Sequence, residues 1–588
     1  MSTRSCAARW CAFVAACALV APPALAQDAS PAPAATASPS GPYQSAVARI
    51  AADAPEAMRR QHAPGMALAL TDRNGTIAVL TFGSANLEQN EPVTQATRFG
   101  IGSITKSMTA LALLQARDRG RFDPHAPVTR YLPWFSVRTH WRALTGHDLL
   151  THTSGLPDGG LGYGAPFDVA LLRELATGFA PGTHWSYSNV GYETLGEIVA
   201  AIDRRSWSNV VRDGVLTRVG MTSSSTDWTF ATLASAATGY LPREDDRLPD
   251  PRAWLLAPVP LAEFTNAAGS VLSTPGDMAK YARMLLRGGI ADHGRRVVSA
   301  AAYALLTSAA TKAGTGGIPG LYASYAYGLA VHTLDGDRVV GHTGGTTPYT
   351  ACLEADLTTG FAAVALTNVG YVAPRPCPIV EHALRTLRAA SKGKPLPALP
   401  AEHDPAQVNA ARSYAGTYRS AGGAAPITVV APARDRLALL VDATQLPLLP
   451  AGGGVFFTDD ARFRLSGLRF IADAKTHRAY QLVAAGRWYT TAAYRGPTSF
   501  PHPAAWDAYA GYYRNPGAHP YDPSLRVQLV KGALAFDDGT PLVSLGDGSF
   551  RAGEESWSPE RVRFDTVIGG RAQRLLYSGV ALYRVTTP

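Results

Sequence analysis

The sequence is poor in lysine, in cysteine and in charge. Among 588 residues there are seven lysines, five cysteines and 17% charged side chains. With so little lysine, the formal charge of +9 rests on arginine. The arginines are scattered, in pairs such as Arg59-Arg60, Arg204-Arg205 and Arg295-Arg296. They form no stripe or basic tail of the kind that binds nucleic acid, and no nucleic-acid partner is expected. No uninterrupted apolar run reaches the ~18 residues that a membrane-spanning helix needs, which excludes an integral membrane span. A hydrophobic share of 46% is ordinary for folded chains and excludes wholesale disorder. Missing too are the zinc-binding H-E-x-x-H, the nucleophile-elbow G-x-S-x-G, and a P-loop or Rossmann glycine pattern between a strand and a helix. These absences disfavour a metalloprotease, an α/β-hydrolase and a nucleotide binder. Neither a metal nor a cofactor is expected.

What is present begins with an export signal. In residues 1–26, Arg4 and Arg9 give a positive start, a short apolar stretch follows, and Pro22-Pro23 break it. Ala24-Leu25-Ala26 is then an A-x-A cleavage site, so a periplasmic or secreted protein is expected. Val14-Ala15-Ala16-Cys17 also resembles a bacterial lipobox, but the apolar segment before Cys17 is short and cleavage after Ala26 is favoured. Cys6, Cys11 and Cys17 leave with this segment, and Cys352 and Cys377 remain. An oxidising compartment permits a bond between them; their spacing leaves the pairing open.

At about 100–200 residues per domain, the length predicts three or four domains. Residues 27–42 are a Pro/Ala/Ser tether. Residues 43–390 mix helix and strand. Strand patterns at 66–71 and 77–82 flank the turn signal Asn74-Gly75, and more occur near 327–334, 339–342, 349–355 and 361–367. Helices are predicted at about 103–118, at about 276–287 after Ser273-Thr274-Pro275, and at 379–390. Strands at both ends and helices between them suggest one sheet with a helical insertion. Residues 391–405 read as a linker. Beyond it the chain repeats itself: Tyr414-Ala415-Gly416-Thr417-Tyr418-Arg419 recurs as Tyr509-Ala510-Gly511-Tyr512-Tyr513-Arg514. Pro447-Leu448, Phe456 and Arg469-Phe470 recur 94 positions later as Pro541-Leu542, Phe550 and Arg563-Phe564. Two small antiparallel β-barrel domains, 406–496 and 504–588, are the expectation.

Three short motifs carry chemistry. Ser103-Ile104-Thr105-Lys106 opens the apolar helix directly after Gly100-Ile101-Gly102. Three residues apart, serine and lysine share one helix face, with Cβ atoms ~5–6 Å apart. A serine hydroxyl needs a neighbouring base to become a nucleophile. Burial beside Met108, Ala110 and Leu111, and the positive end of the helix, would depress the lysine pKa enough for it to be that base. Ser391 and Lys394 have the same spacing in a Gly/Pro linker, so the helix context carries the signal. The second motif, Tyr187-Ser188-Asn189, precedes an apolar helix starting near Gly191. A phenol beside a cation gives up its proton more readily, and an asparagine can bond both a lysine and a substrate amide. The letters recur at Tyr513-Arg514-Asn515, where they read as an ordinary strand. In the third, His342-Thr343-Gly344-Gly345, the glycines let a substrate backbone approach a strand edge. His152-Thr153-Ser154-Gly155 reads as a turn and cap.

In this order, S-x-x-K, Y-x-N and H-T-G, together with Leu149-Leu150-Thr151-His152-Thr153-Ser154-Gly155-Leu156-Pro157, resemble the penicillin-recognising serine hydrolases. Class C β-lactamases, D,D-peptidases, D-aminopeptidases and related esterases belong to that superfamily. The resemblance spans residues 43–390 and implies an α/β fold of the β-lactamase/transpeptidase type. That fold is an antiparallel sheet flanked by helices plus a helical subdomain, here followed by the two all-β barrel-like domains. It implies that Ser103 is the acylated nucleophile and that Lys106 and Tyr187 share the proton transfers. Asn189 would orient Lys106 and substrate, and the N–H groups of Ser103 and Gly345 would form the oxyanion hole beside Thr343 and Gly344. His342 departs from the pattern, since the β-lactamases and D,D-peptidases carry a permanently charged lysine there and histidine is mostly neutral at pH 7. The expectation is an exported serine hydrolase acting through an acyl-enzyme on a small peptide, amide or ester, D-aminopeptidase-like or esterase-like. Its substrate is small or a short peptide, with cell-wall fragments among the candidates, and a homo-oligomer stays open. The alternatives are a β-lactamase or D,D-carboxypeptidase, or a silent sensor of wall fragments or β-lactams.

Overall fold

The run Gly65–Asp72 (β1) is apolar at almost every position, the pattern of a strand covered on both faces. The computed structural model describes residues 34–35, 43–159, 165–242, 256–259, 263, 265–312, 323–370, 375–401, 404, 406–458, 460, 462–463, 467–515 and 525–586. It places β1 inside a ten-stranded sheet. The other long strands are β2 (Thr76–Asn86), β3 (Ala330–Leu334), β4 (Asp337–Thr346), β5 (Tyr349–Asp356) and β6 (Phe361–Thr367). Their order is β2-β1-β6-β5-β4-β3, antiparallel throughout, with shorter strands at the edges. The expected signal peptide, Cys17, the site after Ala26 and most of the tether lie outside the described residues.

Side chains of a strand alternate between faces, and here each set feeds its own core. Met66, Leu68 and Leu70 of β1 join Phe361, Ala363 and Ala365 of β6 against helices α1 (Gln44–Gln61) and α5 (Cys377–Ser391). Ala67 and Ala69 join Ala362, Val364 and Leu366 on the opposite face. There they meet the larger core built by α2 (Thr105–Asp118), α3 (Asn189–Asp203) and α4 (Pro275–Leu286). Helix α2 is buried from Thr105 through Ala116, so its apolar character all round is that of a core helix.

Local signals act where the sequence puts them. The Thr274 hydroxyl accepts from the Asp277 N–H at 3.3 Å and Pro275 is the first residue of α4, a standard N-terminal pairing. At the Asn74-Gly75 turn the Asp72 carboxylate accepts from both N–H groups, at 2.7 and 2.9 Å. Helix α1 was not anticipated; Ala46, Val47, Ile50, Ala54 and Ala57 give it an inward stripe, but Pro55 in its middle hides the pattern. Helix α5 begins earlier than expected and ends on Ser391, which places the linker serine at a helix C-terminus and Lys394 beyond it.

Beyond the linker, residues 416–447 form a four-stranded sheet and 449–490 a five-stranded one, over a single core. Residues 511–585 form a closed eight-stranded barrel. The duplicated Tyr-Ala-Gly-x-Tyr motif has one physical job in both. The Tyr418 phenol donates to the Tyr414 carbonyl at 2.7 Å and faces that of Ala479 at 3.0 Å. Tyr513 does the same toward Tyr509 at 2.7 Å and Ala572 at 3.3 Å. Each phenol closes the entry turn onto a distant strand. Among the described residues no helix is long and apolar enough to cross a membrane.

Cys352 on β5 and Cys377 at the start of α5 are joined in a disulfide, with Cα atoms 5.3 Å apart and both residues buried. It closes a loop of sequence separation 25 that contains the β6 strand. Replacing both cysteines with serine is expected to cost about 2–4 kcal/mol of stability, chiefly by freeing the unfolded chain. Thermal unfolding of the double variant, against wild type with and without reductant, measures this. Equal melting temperatures in all samples would show the bond to be without weight.

Candidate active site

Ser103 lies in the single 3₁₀ turn Gly102–Ile104 that leads into α2, and Lys106 lies in the first turn of that helix. Glycines shape the entry. Gly102 has a φ of +52°, and a Cβ there would sit 2.4 Å from the Gly345 nitrogen. A Cβ on Gly344 would come within 2.0 Å of the Ile101 carbonyl oxygen. The chain just before Ser103 therefore runs directly against the Gly344-Gly345 backbone of β4, which brings the two segments expected to supply the oxyanion hole side by side.

The Lys106 side chain is fully buried, and its amine reaches three oxygens. They are Ser103 Oγ at 3.1 Å, Asn189 Oδ1 at 2.6 Å and the Ala268 carbonyl at 2.9 Å. Three acceptors satisfy a charged ammonium completely. A neutral amine would keep two N–H donors for Asn189 and Ala268 and turn its lone pair to the Ser103 O–H. Burial pushes the Lys106 pKa down to about 7; Asp158 and Glu193 pull it up and Arg375 pushes it further down. Both protonation states are thus accessible near neutrality.

Asn189 is the first residue of α3, behind the Ser188 N-cap, whose hydroxyl accepts from the Gly191 N–H at 3.1 Å. Its amide end is already engaged: Nδ2 and the backbone N–H donate to Asp158 Oδ1 at 2.9 and 3.0 Å. With a carboxylate on one side and an amine on the other, only this orientation of the amide satisfies both neighbours. Asn189 thus meets the lysine through Oδ1, while its Nδ2 faces Asp158. Tyr187 presents its ring to the lysine, whose Nζ is 4.8 Å from the ring centroid.

His342 is 1% exposed. Its Nδ1 donates to the Thr343 carbonyl at 2.5 Å, which leaves Nε2 to accept from the Tyr325 hydroxyl at 2.9 Å. Burial, and then Lys106, push its pKa down to about 3, so the ring is neutral. Its ring is 6.3 Å from that of Tyr187. His342 thus bonds its own strand through Nδ1 and Tyr325 through Nε2. Thr343 is buried, and its hydroxyl accepts from Arg375 Nη1 at 2.7 Å. The same guanidinium lies over Gly345, 2.9 Å from where a Cβ would be. A permanent cation therefore borders the glycine edge, delivered by Arg375 from the approach to α5 and not by the H-T-G motif itself.

Several residues join the site beyond those that the sequence assigns to it. His152 is more than part of a turn: it is fully buried at a φ of +58°, accepts from the Ser188 N–H at 3.1 Å, and lies against the Tyr187 ring with centroids 4.3 Å apart. Burial holds its pKa well below the ordinary histidine value, with Lys106 and His342 adding to the effect. Asn266 Oδ1 accepts from the Ala268 N–H at 2.6 Å, and Asn266 Nδ2 donates to Glu193, so the carbonyl that receives Lys106 is itself held. Burial and then the facing Glu560 carboxylate push the Asp158 pKa upward, opposed by the hydrogen bonds from Asn189 and by Lys106.

Comparison with known proteins agrees with this geometry. The chain matches the Beta-lactamase family over residues 50–384. It is 31% identical over 383 residues to penicillin-binding protein 4 of Amycolatopsis lactamdurans, covering 63% of this chain and 97% of that one. It is 36% identical over 178 residues to the esterase EstB of Burkholderia gladioli, spanning 26% of this chain and 45% of the esterase. The octameric penicillin-binding protein homologue of Pyrococcus abyssi shares the fold, with a TM-score of 0.54 at 23% identity, over 75% of this chain and 99% of the other. The chain belongs to the Beta-lactamase family and is a serine hydrolase of the penicillin-recognising superfamily.

Proposed function

We propose that the protein is an exported serine hydrolase that cleaves a small peptide, amide or ester through an acyl-enzyme on Ser103. The observation that carries this reading is the contact of the buried Lys106 amine with Ser103 Oγ while Asn189 and Ala268 take its other N–H bonds. In the neutral state that amine accepts the Ser103 proton as Oγ bonds to the substrate carbonyl carbon. The negative charge then grows on the carbonyl oxygen, at the junction of the Ser103 and Gly345 backbones and at the positive end of α2. As the carbon–leaving-group bond breaks, the proton passes from Lys106, with Tyr187 beside it, to the departing nitrogen or oxygen. Water then attacks the carbonyl carbon of the acyl-Ser103 ester, its proton passes through the same pair to Ser103 Oγ as the carbon–Oγ bond breaks, and the carboxylic acid is released. Export rests on residues 1–26, and similarity to an esterase supports an oxygen leaving group alongside nitrogen.

Ser103→Ala is expected to abolish both hydrolysis and labelling by a fluorophosphonate probe. A variant that keeps either near the wild-type level removes the reading. The pH dependence has a definite sign. The active form of Lys106 is the unprotonated one, so kcat/KM for an uncharged ester should rise with pH through about 7 and level off above it. A rising limb centred near the ordinary lysine value would show that this amine is not the base.

Arg375 supports a second, narrower reading, in which the substrate ends in a carboxylate, as for a D,D-carboxypeptidase. Its guanidinium borders Gly345 and is anchored on Thr343. On that reading Arg375→Ala raises KM for a carboxylate-ended peptide about 10- to 100-fold, the scale of a lost charge-assisted bond, and leaves KM for an uncharged ester unchanged when both are measured well above the Lys106 titration, since Arg375 also lowers that pKa. Equal effects on both substrates would reject it. A panel of D- and L-aminoacyl amides, short esters and a chromogenic cephalosporin sorts the remaining candidates.

A further inference from the structure

The C-terminal barrel reaches the catalytic lysine through a continuous set of hydrogen bonds. Its segment 557–560 packs against the loops that flank Tyr187-Ser188-Asn189. Trp557 stacks on His184 with centroids 4.8 Å apart and meets Phe179 edge-on at 5.6 Å. Pro559 passes so close to Gly178 that a Cβ there would lie 2.5 Å from its Cα. Next to it, Glu560 Oε1 accepts from the Asp158 N–H at 2.8 Å, while its other oxygen accepts from the Ser578 hydroxyl. The Asp158 carboxylate receives Asn189, its carbonyl receives the Val190 N–H at 3.0 Å, and Asn189 receives Lys106.

We propose that Glu560 is a positioning residue for the reaction: its carboxylate fixes the Asp158 backbone, which through Asn189 holds Lys106 against Ser103. This rests on the serine-hydrolase reading above. The geometry explains why Glu560 in particular is placed there. Asp158 must hold Asn189 by its carboxylate while its own backbone lies in a loop at an exposed edge, where no strand or helix partner fixes its N–H. Glu560 supplies that partner from the position directly before the barrel strand Arg561–Ile568, where its carbonyl accepts from the Ala552 N–H at 3.1 Å. A second carboxylate beside Asp158 is electrostatically unfavourable, as the upward push on Asp158 shows, so the arrangement is held by the hydrogen bond and the Trp557 docking against that repulsion. The internal duplication offers a comparison: at the 94-residue offset, Glu560 corresponds to Ser466 and Trp557 to Phe463. The docking residues are thus particular to the copy that touches the enzyme, although the barrel-forming residues are shared.

The test uses full-length Glu560→Ala and Glu560→Gln, assayed with an uncharged aryl ester and by the rate of fluorophosphonate labelling. The alanine variant is expected to lose about tenfold in kcat and in labelling rate, the scale of a small misplacement of a reacting group, with KM and melting temperature near wild type. The glutamine variant, which retains an oxygen to accept from Asp158, should recover most of both rates. Wild-type rates in the alanine variant would overturn the proposal, as would a change confined to KM, or equal losses in alanine and glutamine variants. Trp557→Ala gives the docking control: a loss as large as that of Glu560→Ala would assign the effect to docking as a whole and overturn the specific role. Failure of the wild type to label at Ser103 would instead remove the serine-hydrolase reading, so the two failures are distinguishable.

Discussion

The burial of one amine governs the arrangement around it. An ammonium removed from water must find compensation, and the simplest is a carboxylate in direct contact. Such a contact at Lys106 would hold the lysine charged and deprive Ser103 of a base. The protein instead places the amide of Asn189 between Lys106 and Asp158. The carboxylate is near enough to make the charged form tolerable and too far to trap it. A backbone carbonyl, at Ala268, fills the remaining place with a neutral acceptor. Burial and Arg375 pull the other way, and the balance falls near neutrality. His342 and His152, both neutral through their own burial, add no competing charge. A protonated imidazole at either place would repel the ammonium further.

The same neighbourhood shows how much of the site is legible in letters. Ser103 and Lys106 could be read because a helix brings i and i+3 together without help from the rest of the chain. Gly344 and Gly345 could be read because a close backbone approach forbids a side chain, and that leaves a mark in composition. Ala268 could not, since the group that bonds the lysine is a main-chain oxygen common to every residue. Asp158 and Arg375 were hidden for another reason. Each is one charged residue among many, and its meaning comes only from the partner it meets 31 or 32 positions away in sequence. The strands of the sheet were legible through alternation and apolar runs, whereas α1 was not, because a proline in a helix interior looks like a terminator until tertiary packing overrides it.

The sheet explains why these dispersed groups keep their distances. β4 lies beside β5, with Thr343 opposite Cys352 in the register. Cys352 is bonded to Cys377, two residues after Arg375, and Arg375 returns to Thr343. The cation at the glycine edge is therefore tied at both ends to adjacent strands, by one covalent bond and one hydrogen bond. Arginine suits such a place because its fork can hold Thr343 with one nitrogen and present others outward.

The two C-terminal copies separate what a fold needs from what a site needs. Both keep the tyrosine that closes the entry turn, and both bury the aromatic at Phe456 or Phe550, because each must form its own core. The second copy closes into an eight-stranded barrel, whereas the described residues of the first form two sheets joined through Arg419 and Thr490, and it is the second copy that holds Asp158. A closed barrel has no free edge and little freedom to shear, and Glu560 stands directly before one of its strands. Duplication supplies a second copy of a stable module. Divergence at a few surface positions then turns one copy from a neighbour of the catalytic domain into part of its framework. Residues shared by the copies belong to the barrel, and those that differ at the contact belong to the enzyme.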